Sequence, residues 1–250
     1  MQAAIAQSIT AKVIDAQSNE GLPYANIEIS VENIIKGNEM PKKFVSNKDE
    51  TVRMFKNDYM EVLSRVHPSV PLIIFVPIIL YMLYLSIFYF KTTTLAIILL
   101  VIFGLFIWTI AEYLLHRFIF HLEFKSKLGA RIHFIFHGVH HDYPSDSRRL
   151  VMPPSVSVPL AALFYFLFRF LIGEVFVHPF FAGFLIGYLF YDMTHYAVHH
   201  FNMHSNFWLA IKHHHIKHHF QNPDKGYGVS SPVWDYVFRT NYSSKEEQNT

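Results

Sequence analysis

Hydrophobic residues are concentrated in four nearly uninterrupted stretches of the chain, at about residues 70–90, 94–115, 155–172 and 176–191. A membrane-spanning helix needs about 20 apolar residues, so the first two stretches predict complete spans. The last two are shorter and predict a closely spaced pair of helices joined within residues 173–179. Two buried helices of a soluble core are the alternative, but stretches this long and aromatic leave no polar face for water. The pattern therefore predicts an all-α integral membrane protein with four transmembrane helices.

The charged residues between these stretches predict the orientation of the spans. Lys91 is the one charged residue between the first two stretches, and Glu174 is the one between the last two. Basic residues collect instead before the first span, in the middle loop and in the C-terminal tail. Four spans place these three segments on one side of the membrane, and the positive-inside rule predicts that this side is cytoplasmic. The start of the chain, Met1–Thr10, shows no signal-peptide pattern.

The amino-acid composition limits the possible functions and the side chains that could bind a metal. Of the 250 residues, 52% are hydrophobic and 16% are charged, against about 25% charged residues in an average soluble domain. The formal net charge of +2 provides no field to hold a nucleic acid. The chain has no cysteine, which excludes disulfides, thiolate metal sites and a cysteine nucleophile. It has 17 histidines, so any transition metal must be bound by imidazole and carboxylate groups.

The first 39 residues differ from the rest. Residues 9–29 alternate between apolar and polar positions as strands do, with turn signals at residues 19–23. This segment resembles a fragment of a small β-sandwich repeat, similar to carboxypeptidase regulatory modules. It is too short to bury a core by itself. We therefore expect two parts, an appendage of uncertain status at residues 1–39, for which Met40 would serve as an alternative start, and a membrane domain at residues 40–250.

Histidine spacing carries the functional prediction. Sixteen of the 17 histidines lie between His116 and His219. Positions i, i+3 and i+4 share one face of a helix, so each of two His-x2-His-His motifs predicts three imidazoles pointing in one direction. His116 and His121 are about 140° apart around an ideal helix and can converge only if the helix ends or bends there. The motifs are His116-x4-His121, His137-x2-His140-His141, His195-x3-His199 and His215-x2-His218-His219.

Ten imidazoles in these motifs are too many for one ion, because zinc and non-haem iron take about four to six ligands. Two neighbouring metal ions account for ten. Each motif lies at or just beyond the predicted cytoplasmic end of a span. The other histidines in this region are equally compatible with supporting or surface positions, and two more are expected at the membrane interface. The first set is His133, His200, His204, His213 and His214, and the interfacial pair is His67 and His178.

These motifs together resemble the membrane fatty acid hydroxylase superfamily, which includes sterol desaturases and carotene hydroxylases. The matching stretches are HRFIFH (116–121), HGVHH (137–141), YDMTHYAVH (191–199) and HIKHH (215–219). RLVMPP (149–154), GYGVSS (226–231) and WDYVFRT (234–240) further resemble the fatty acid 2-hydroxylase branch. The resemblance covers about residues 41–242. It implies four membrane helices and a cytosolic helical cap that holds a dimetal centre, and hydroxylation of the α-carbon (C2) of a fatty acyl chain, free or in ceramide.

The resemblance also implies the residues and cofactors of the site. The expected metal ligands are His116, His121, His137, His140, His141, His195, His199, His215, His218 and His219. His133 departs from this set. Asp192, one helical turn before His195, is the best candidate for a carboxylate that supports a ligand, and Tyr191, Asp142 and Asp235 are weaker ones.

We expect two metal ions, iron for activity with zinc able to bind the same ligands, together with O2. Some members carry a fused haem domain with a His-Pro-Gly-Gly motif. Here His67-Pro68 is followed by Ser69, so electrons are expected from a separate donor protein. The substrate is a membrane lipid. A bacterial inner membrane is favoured, or the endoplasmic reticulum in a eukaryote.

Two alternatives are kept open. A sterol or carotenoid hydroxylase or desaturase of the same superfamily would share the histidine motifs, although the stretches at residues 149–154 and 226–231 argue against it. A membrane metal transporter would instead place polar ligands near the bilayer midplane, where the predicted spans are nearly free of them.

Overall fold

The computed structural model describes residues 8–14, 21–30, 44–122 and 126–242. Its regular elements are strands β1 (Ser8–Ile14) and β2 (Gly21–Ser30), and helices α1 (Asp58–Leu63), α2 (Ser69–Tyr84), α3 (Thr94–Leu115), α4 (Lys127–His133), α5 (Val139–Asp142), α6 (Pro154–Ile172), α7 (Glu174–His200), α8 (Asn206–Phe220) and α9 (Val233–Val237). Three π-helical turns extend or join these helices, at Leu85–Tyr89, His116–Phe120 and Phe134–Gly138.

Four helices are long and apolar enough to cross a membrane, which confirms the predicted all-α membrane domain. They are Ser69–Tyr89, Thr94–Phe120, Pro154–Ile172 and Glu174–His200. The protein is therefore a multi-pass membrane protein.

The fourth span differs from its prediction at both ends. It was expected to end near Tyr191, but α7 continues to His200 because the polar residues beyond that point are buried by protein rather than by lipid. The connection before it was expected to extend to Pro179. The turn instead occupies Gly173, which has a φ of 82°, and Pro179 lies inside α7.

Helix α7 is the centre of the membrane domain, and α2, α3 and α6 pack around it. The backbones of α3 and α7 touch. A Cβ atom added at Gly104 would lie 1.9 Å from the carbonyl oxygen of Phe180, and one at Gly183 would lie 2.0 Å from that of Val101. Small residues at helix contacts allow this approach in membranes. The ends of α3 and α7 that carry histidines are thereby held side by side.

An extended segment at residues 44–57 lies over the loop that follows α5. The backbone N–H groups of Val45 and Ser46 both donate to the carbonyl oxygen of Asp142, at 2.8 and 3.1 Å. The hydroxyl of Thr51 donates to Asp146 at 2.8 Å. This part of the chain therefore belongs to the cap on the histidine side of the spans.

Strands β1 and β2 pair antiparallel, with Ile9 opposite Ile29 and Thr10 opposite Glu28. They fall where the alternating pattern predicted strands. Met40 and the remainder of residues 1–39 lie outside the described residues. The interpretation of residues 1–39 as a separate appendage stays a prediction.

Candidate metal centre

The second span ends in a π-helical turn that aligns its two histidines. One π turn closes an i to i+5 hydrogen bond, so residues five apart return to the same face. The backbone N–H of His121 donates to the carbonyl oxygen of His116 at 3.2 Å. The spacing of His116 and His121 predicted that the helix ends or bends between them if the two side chains converge. The π turn is the change in helix geometry that allows this. It places the Nε2 atoms of the two imidazoles 3.3 Å apart.

Ten histidines gather into two groups of five. The π-turn group, which includes residues on two of the π turns, consists of His116, His121, His137, His141 and His218. The α-helix group consists of His140, His195, His199, His215 and His219. Within each group the nitrogens that could bind a metal all lie within 4.8 Å of one another. These are the ten residues that the family resemblance implied, and their role as ligands stays a prediction.

The two His-x2-His-His motifs are each divided between the groups. The middle histidine of each motif, His140 or His218, joins the opposite group from the two histidines that flank it. The three imidazoles of a motif, predicted to point in one direction, therefore do not converge on a single group. Positions i+3 and i+4 are about 100° apart around a helix, so each motif straddles the boundary between the groups.

The spacing of the nitrogens fits one metal ion in each group. Neighbouring Nε2 atoms are 3.0–3.3 Å apart in the π-turn group and 2.8–3.1 Å apart in the α-helix group. Nitrogens held about 2.0–2.1 Å from one ion, at tetrahedral to right angles, are separated by about 2.9–3.4 Å. An uncharged imidazole has only one N–H to donate, so a cation satisfies five converging nitrogens better than mutual hydrogen bonds do.

Burial keeps the imidazoles in the form that binds metal. Burial, with the proximity of His116 as the next cause, lowers the pKa of His121 to about 2 and the pKa of His141 to about 3. Burial also lowers the pKa of His215 and His219 well below the ordinary histidine value, and neighbouring imidazoles add to the effect. Metals bind neutral imidazole, so these side chains carry no protons that a metal would have to displace near neutral pH.

Two rings of the π-turn group are fixed from behind by backbone carbonyl groups. Nδ1 of His116 donates to the carbonyl oxygen of Tyr227, and Nδ1 of His218 donates to that of Lys225 at 2.7 Å. Such bonds set the tautomer and leave Nε2 free to bind a metal. In the α-helix group, the buried Nδ1 atoms of His215 and His219 have no hydrogen-bond partner within the described part of the chain.

Two buried carboxylates hold the loop that supplies these carbonyl groups. Asp235 accepts the backbone N–H groups of Tyr227 and Gly228 at 2.9 and 2.8 Å. Glu112 accepts those of the next two residues at 2.9 and 2.7 Å. Both carboxylates therefore act on His116 through one short loop, which we call the backing loop (residues 225–231).

Glu112 is not among the residues that the sequence patterns suggested, and Asp235 was one of the weaker candidates. Glu112 lies within the apolar stretch at residues 94–115. An acidic residue inside a span is costly unless it has partners, and its position four residues before His116 could have identified it.

The hydrogen bonds of Asp192 go to residues other than His195, the partner that the sequence suggested. One carboxylate oxygen accepts the backbone N–H of Met152 at 3.2 Å, and the other accepts the hydroxyl of Tyr188 at 3.0 Å. Among the described residues, no hydrogen bond joins Asp192 to His195. The ring of Tyr191 lies against that of His195, with centroids 5.8 Å apart. Catalytic roles for Asp192 and Tyr191 stay predictions, and Asp192 has the contacts of a residue that positions the start of α6.

The other histidines lie outside both groups. His214 contacts Asp235 at 2.9 Å and so belongs to the support of the backing loop. His67 is exposed and contacts the hydroxyl of Ser69. The remaining ones are His133, His178, His200, His204 and His213.

A cavity of about 270 Å³ adjoins both groups. His137 of the π-turn group and His140 and His195 of the α-helix group line it, together with Tyr191 and Asp192. Most of the other lining side chains are apolar, and they include Leu63, Phe120, Val151, Met152 and Val156. The arrangement suits an apolar chain held against a metal site.

Comparison with known proteins agrees with this geometry. The family described as "Fatty acid hydroxylase" matches residues 101–240. A fatty acid 2-hydroxylase of Rattus norvegicus is 39% identical over 213 residues, and the match covers 76% of this chain and 56% of the rat protein. A dihydroceramide fatty acyl 2-hydroxylase (FAH2) of Arabidopsis thaliana is also 39% identical, and the match covers 76% of this chain and 80% of the plant protein.

A solved structure is similar as well. Full-length scs7p, in which only the hydroxylase domain is visible, matches with a TM-score of 0.70 at 36% identity, and the match covers 76% of this chain and 71% of that chain. The chain spans little more than half the length of the rat protein and four fifths of the plant protein. With the family match over more than half of its residues, the chain belongs to the fatty acid hydroxylase family.

Proposed function

We propose that the protein is a membrane-bound monooxygenase that hydroxylates the α-carbon, C2, of a fatty acyl chain, free or in a ceramide-type lipid. The observation that carries this proposal is the cavity in which both histidine groups meet apolar walls. The names of the rat and plant relatives supply the position of hydroxylation and the lipid class.

The ten histidines would hold two metal ions, one in each group, with iron as the active metal. Zinc accepts the same nitrogen ligands and could occupy the groups in a purified sample. Bound iron would supply the activation of O2, which no side chain can perform. The balanced reaction consumes one O2, two electrons and two protons, and yields one hydroxyl group on the lipid and one water.

The protein's own residues position the lipid and exclude water. The apolar side chains of Leu63, Phe120 and Val156 form walls against which an acyl chain can pack. His137, His140 and His195 form the end of the cavity next to the metal groups. A chain that enters from the bilayer would present its carbonyl end to this region. The electrons would come from a separate redox protein.

The histidine groups would face the cytoplasm. Basic residues near them include Arg117, Lys212 and Lys217, and the positive-inside rule places such residues on the cytoplasmic side. We propose a bacterial inner membrane as the location, or the endoplasmic reticulum if the source is eukaryotic.

Mass spectrometry of lipids tests the proposal. The full chain, loaded with iron and reconstituted with a reductant, should add one oxygen to the acyl chain of N-palmitoyl dihydrosphingosine or of palmitate, and fragmentation should locate that oxygen at C2. The His140→Ala variant, prepared in the same way, is the control for chemistry outside the site. Oxygen at another carbon, or transfer only to a sterol or carotenoid, would contradict the proposal.

A further inference from the structure

A buried arginine lines the same cavity, and two of its guanidinium nitrogens, Nε and Nη1, make no hydrogen bond to the described residues. The side chain of Arg149 is 3% exposed. Its Nη2 donates to Glu61 at 2.8 Å and to the carbonyl oxygen of Val52. Its Nε lies 3.4 Å from a carboxylate oxygen of Asp146. Its Nη1 has no hydrogen-bond partner within the described part of the chain. A buried donor left without a partner is costly, so Nη1, whose charge is not paired as that of Nε is, is available to donate to a bound molecule.

The position of Arg149 suits the polar end of the substrate. Arg149 and the histidines His140 and His195 line one cavity. In an acyl lipid, C2 is bonded directly to the carbonyl carbon. A donor that holds the carbonyl oxygen therefore restricts the position of C2, which is two bonds from that oxygen, within the cavity that the histidines also line.

The charges around Arg149 favour a neutral acceptor. Glu61 pairs with both Arg149 and Arg65, at 2.8 and 2.6 Å, and Asp146 provides a second carboxylate. Two guanidinium groups thus face two carboxylates, and the cluster has no net charge. A substrate carboxylate would add an uncompensated buried charge, which is expensive. An amide carbonyl would satisfy Nη1 without adding charge.

We propose that Nη1 of Arg149 donates a hydrogen bond to the amide carbonyl of the substrate and thereby positions C2 for hydroxylation. This inference rests on the proposed function and adds a positioning residue to it. It also explains how the site would prefer an N-acyl lipid to a free fatty acid.

Arg149→Lys is the variant that tests the proposal, because lysine keeps the positive charge beside Glu61 but cannot also extend a second donor into the cavity. We expect KM for N-palmitoyl dihydrosphingosine to rise about tenfold or more, with a smaller change in kcat, because a hydrogen bond from a charged group is lost. The product should include oxygen at C3 as well as C2, since the chain is no longer held in register. Arg148→Lys is the matched control, because the side chain of Arg148 is exposed.

Binding without turnover separates this inference from the proposed function. In the absence of a reductant, the unaltered protein should bind N-palmitoyl dihydrosphingosine about tenfold more tightly than an ether-linked analogue that lacks the carbonyl. This comparison needs no variant and so does not depend on the folding of Arg149→Lys. Equal binding of the two lipids, or an unchanged KM and pure C2 product in a folded Arg149→Lys protein, would overturn the role of Arg149. Absence of any hydroxylation despite selective binding would overturn only the proposed function.

Discussion

The two histidine groups are positioned by different structural means. In the α-helix group, His195 and His199 on α7 and His215 and His219 on α8 are i,i+4 pairs, so ordinary α-helical winding aligns them. In the π-turn group, His116 meets His121 only because the helix winds more widely there, and its ring is tied to the backing loop. The first group relies on regular helices and the second on hydrogen bonds from elsewhere in the chain.

This difference predicts that the two groups will respond differently when a supporting residue is substituted. Four of the five histidines of the α-helix group lie on two helices of 27 and 15 residues, of which α7 is packed in the centre of the membrane domain, and the fifth, His140, lies on α5. The π-turn group depends in addition on Glu112 and Asp235, which contact no histidine of either group in the described structure but hold the loop behind His116. Removing a support should therefore weaken one group and spare the other.

The largest effect is expected from removing one histidine from each group. His140→Ala should weaken metal binding in the α-helix group, and His218→Ala should do so in the π-turn group. We expect each variant to lose about one metal ion per protein. The loss of activity should exceed the roughly 10–100-fold typical when a residue that hydrogen-bonds to a metal ligand is removed. Metal analysis and turnover measure both outcomes, with the exposed His204→Ala as control. Two metals and full activity in both variants would refute the two-group assignment.

A smaller and group-specific effect is expected from Asp235→Asn. Asparagine keeps one acceptor but turns an amide N–H₂ toward backbone donors that need an acceptor. The backing loop should shift, and activity should fall about tenfold, at the lower end of the range for groups behind a metal ligand. Metal loss should be confined to the π-turn group. Spectroscopy of the metal sites checks this, with the exposed Asp224→Asn as control. Equal disturbance of both groups would show that the loop supports them jointly.

Asp192→Asn should reduce activity modestly and leave the metal content of both histidine groups unchanged. The change weakens the hydrogen bond from Tyr188, and a buried hydrogen bond of this kind is worth about 1–3 kcal/mol when broken. We expect KM to rise several-fold as Met152 moves in the cavity wall. Tyr188→Phe removes the same bond from the other side, so the double variant should be no worse than the more damaging single one. Loss of metal in Asp192→Asn would instead support the prediction from the sequence that Asp192 acts directly on His195.

The smallest effect is expected from removing the N-terminal hairpin. A chain that begins at Met40 contains all 17 histidines and keeps the segment at residues 44–57 that covers the cap. Its activity should stay within about twofold of the full chain, a change below the worth of one hydrogen bond. A chain that begins at Asp58 is the contrasting case, since it lacks that segment. Loss of activity in a folded protein that begins at Met40 would show that the hairpin contributes to the site.

Sequence patterns identified the spans and the histidines that gather, because long apolar stretches and helical spacing leave few alternatives. They did not show how the His-x2-His-His motifs divide between two groups. Spacing defines a face of a helix, but which side of that face meets which neighbour depends on tertiary packing. The end of α7 was missed for a related reason: hydropathy detects contact with lipid, and the residues around His195 are buried by protein.

The supporting carboxylates show the same limit. The spacing from Asp192 to His195 matches a helical turn, yet the side chain of Asp192 is directed to Met152 and Tyr188. The residues that hold His116 from behind come from a loop more than 100 positions away in the chain. No local pattern can reveal a partner at that separation.

The π turn at His116–Phe120 has a consequence for comparing this chain with others. A π turn aligns two histidines five positions apart, and an ordinary α turn aligns two that are four apart. A deletion of one residue inside His116–Phe120 would therefore let the helix relax to regular winding while its two nitrogens stay on one face. A search pattern that demands a fixed interval between these histidines would separate sequences that build the same histidine group, so alignments at this position should permit a gap of one.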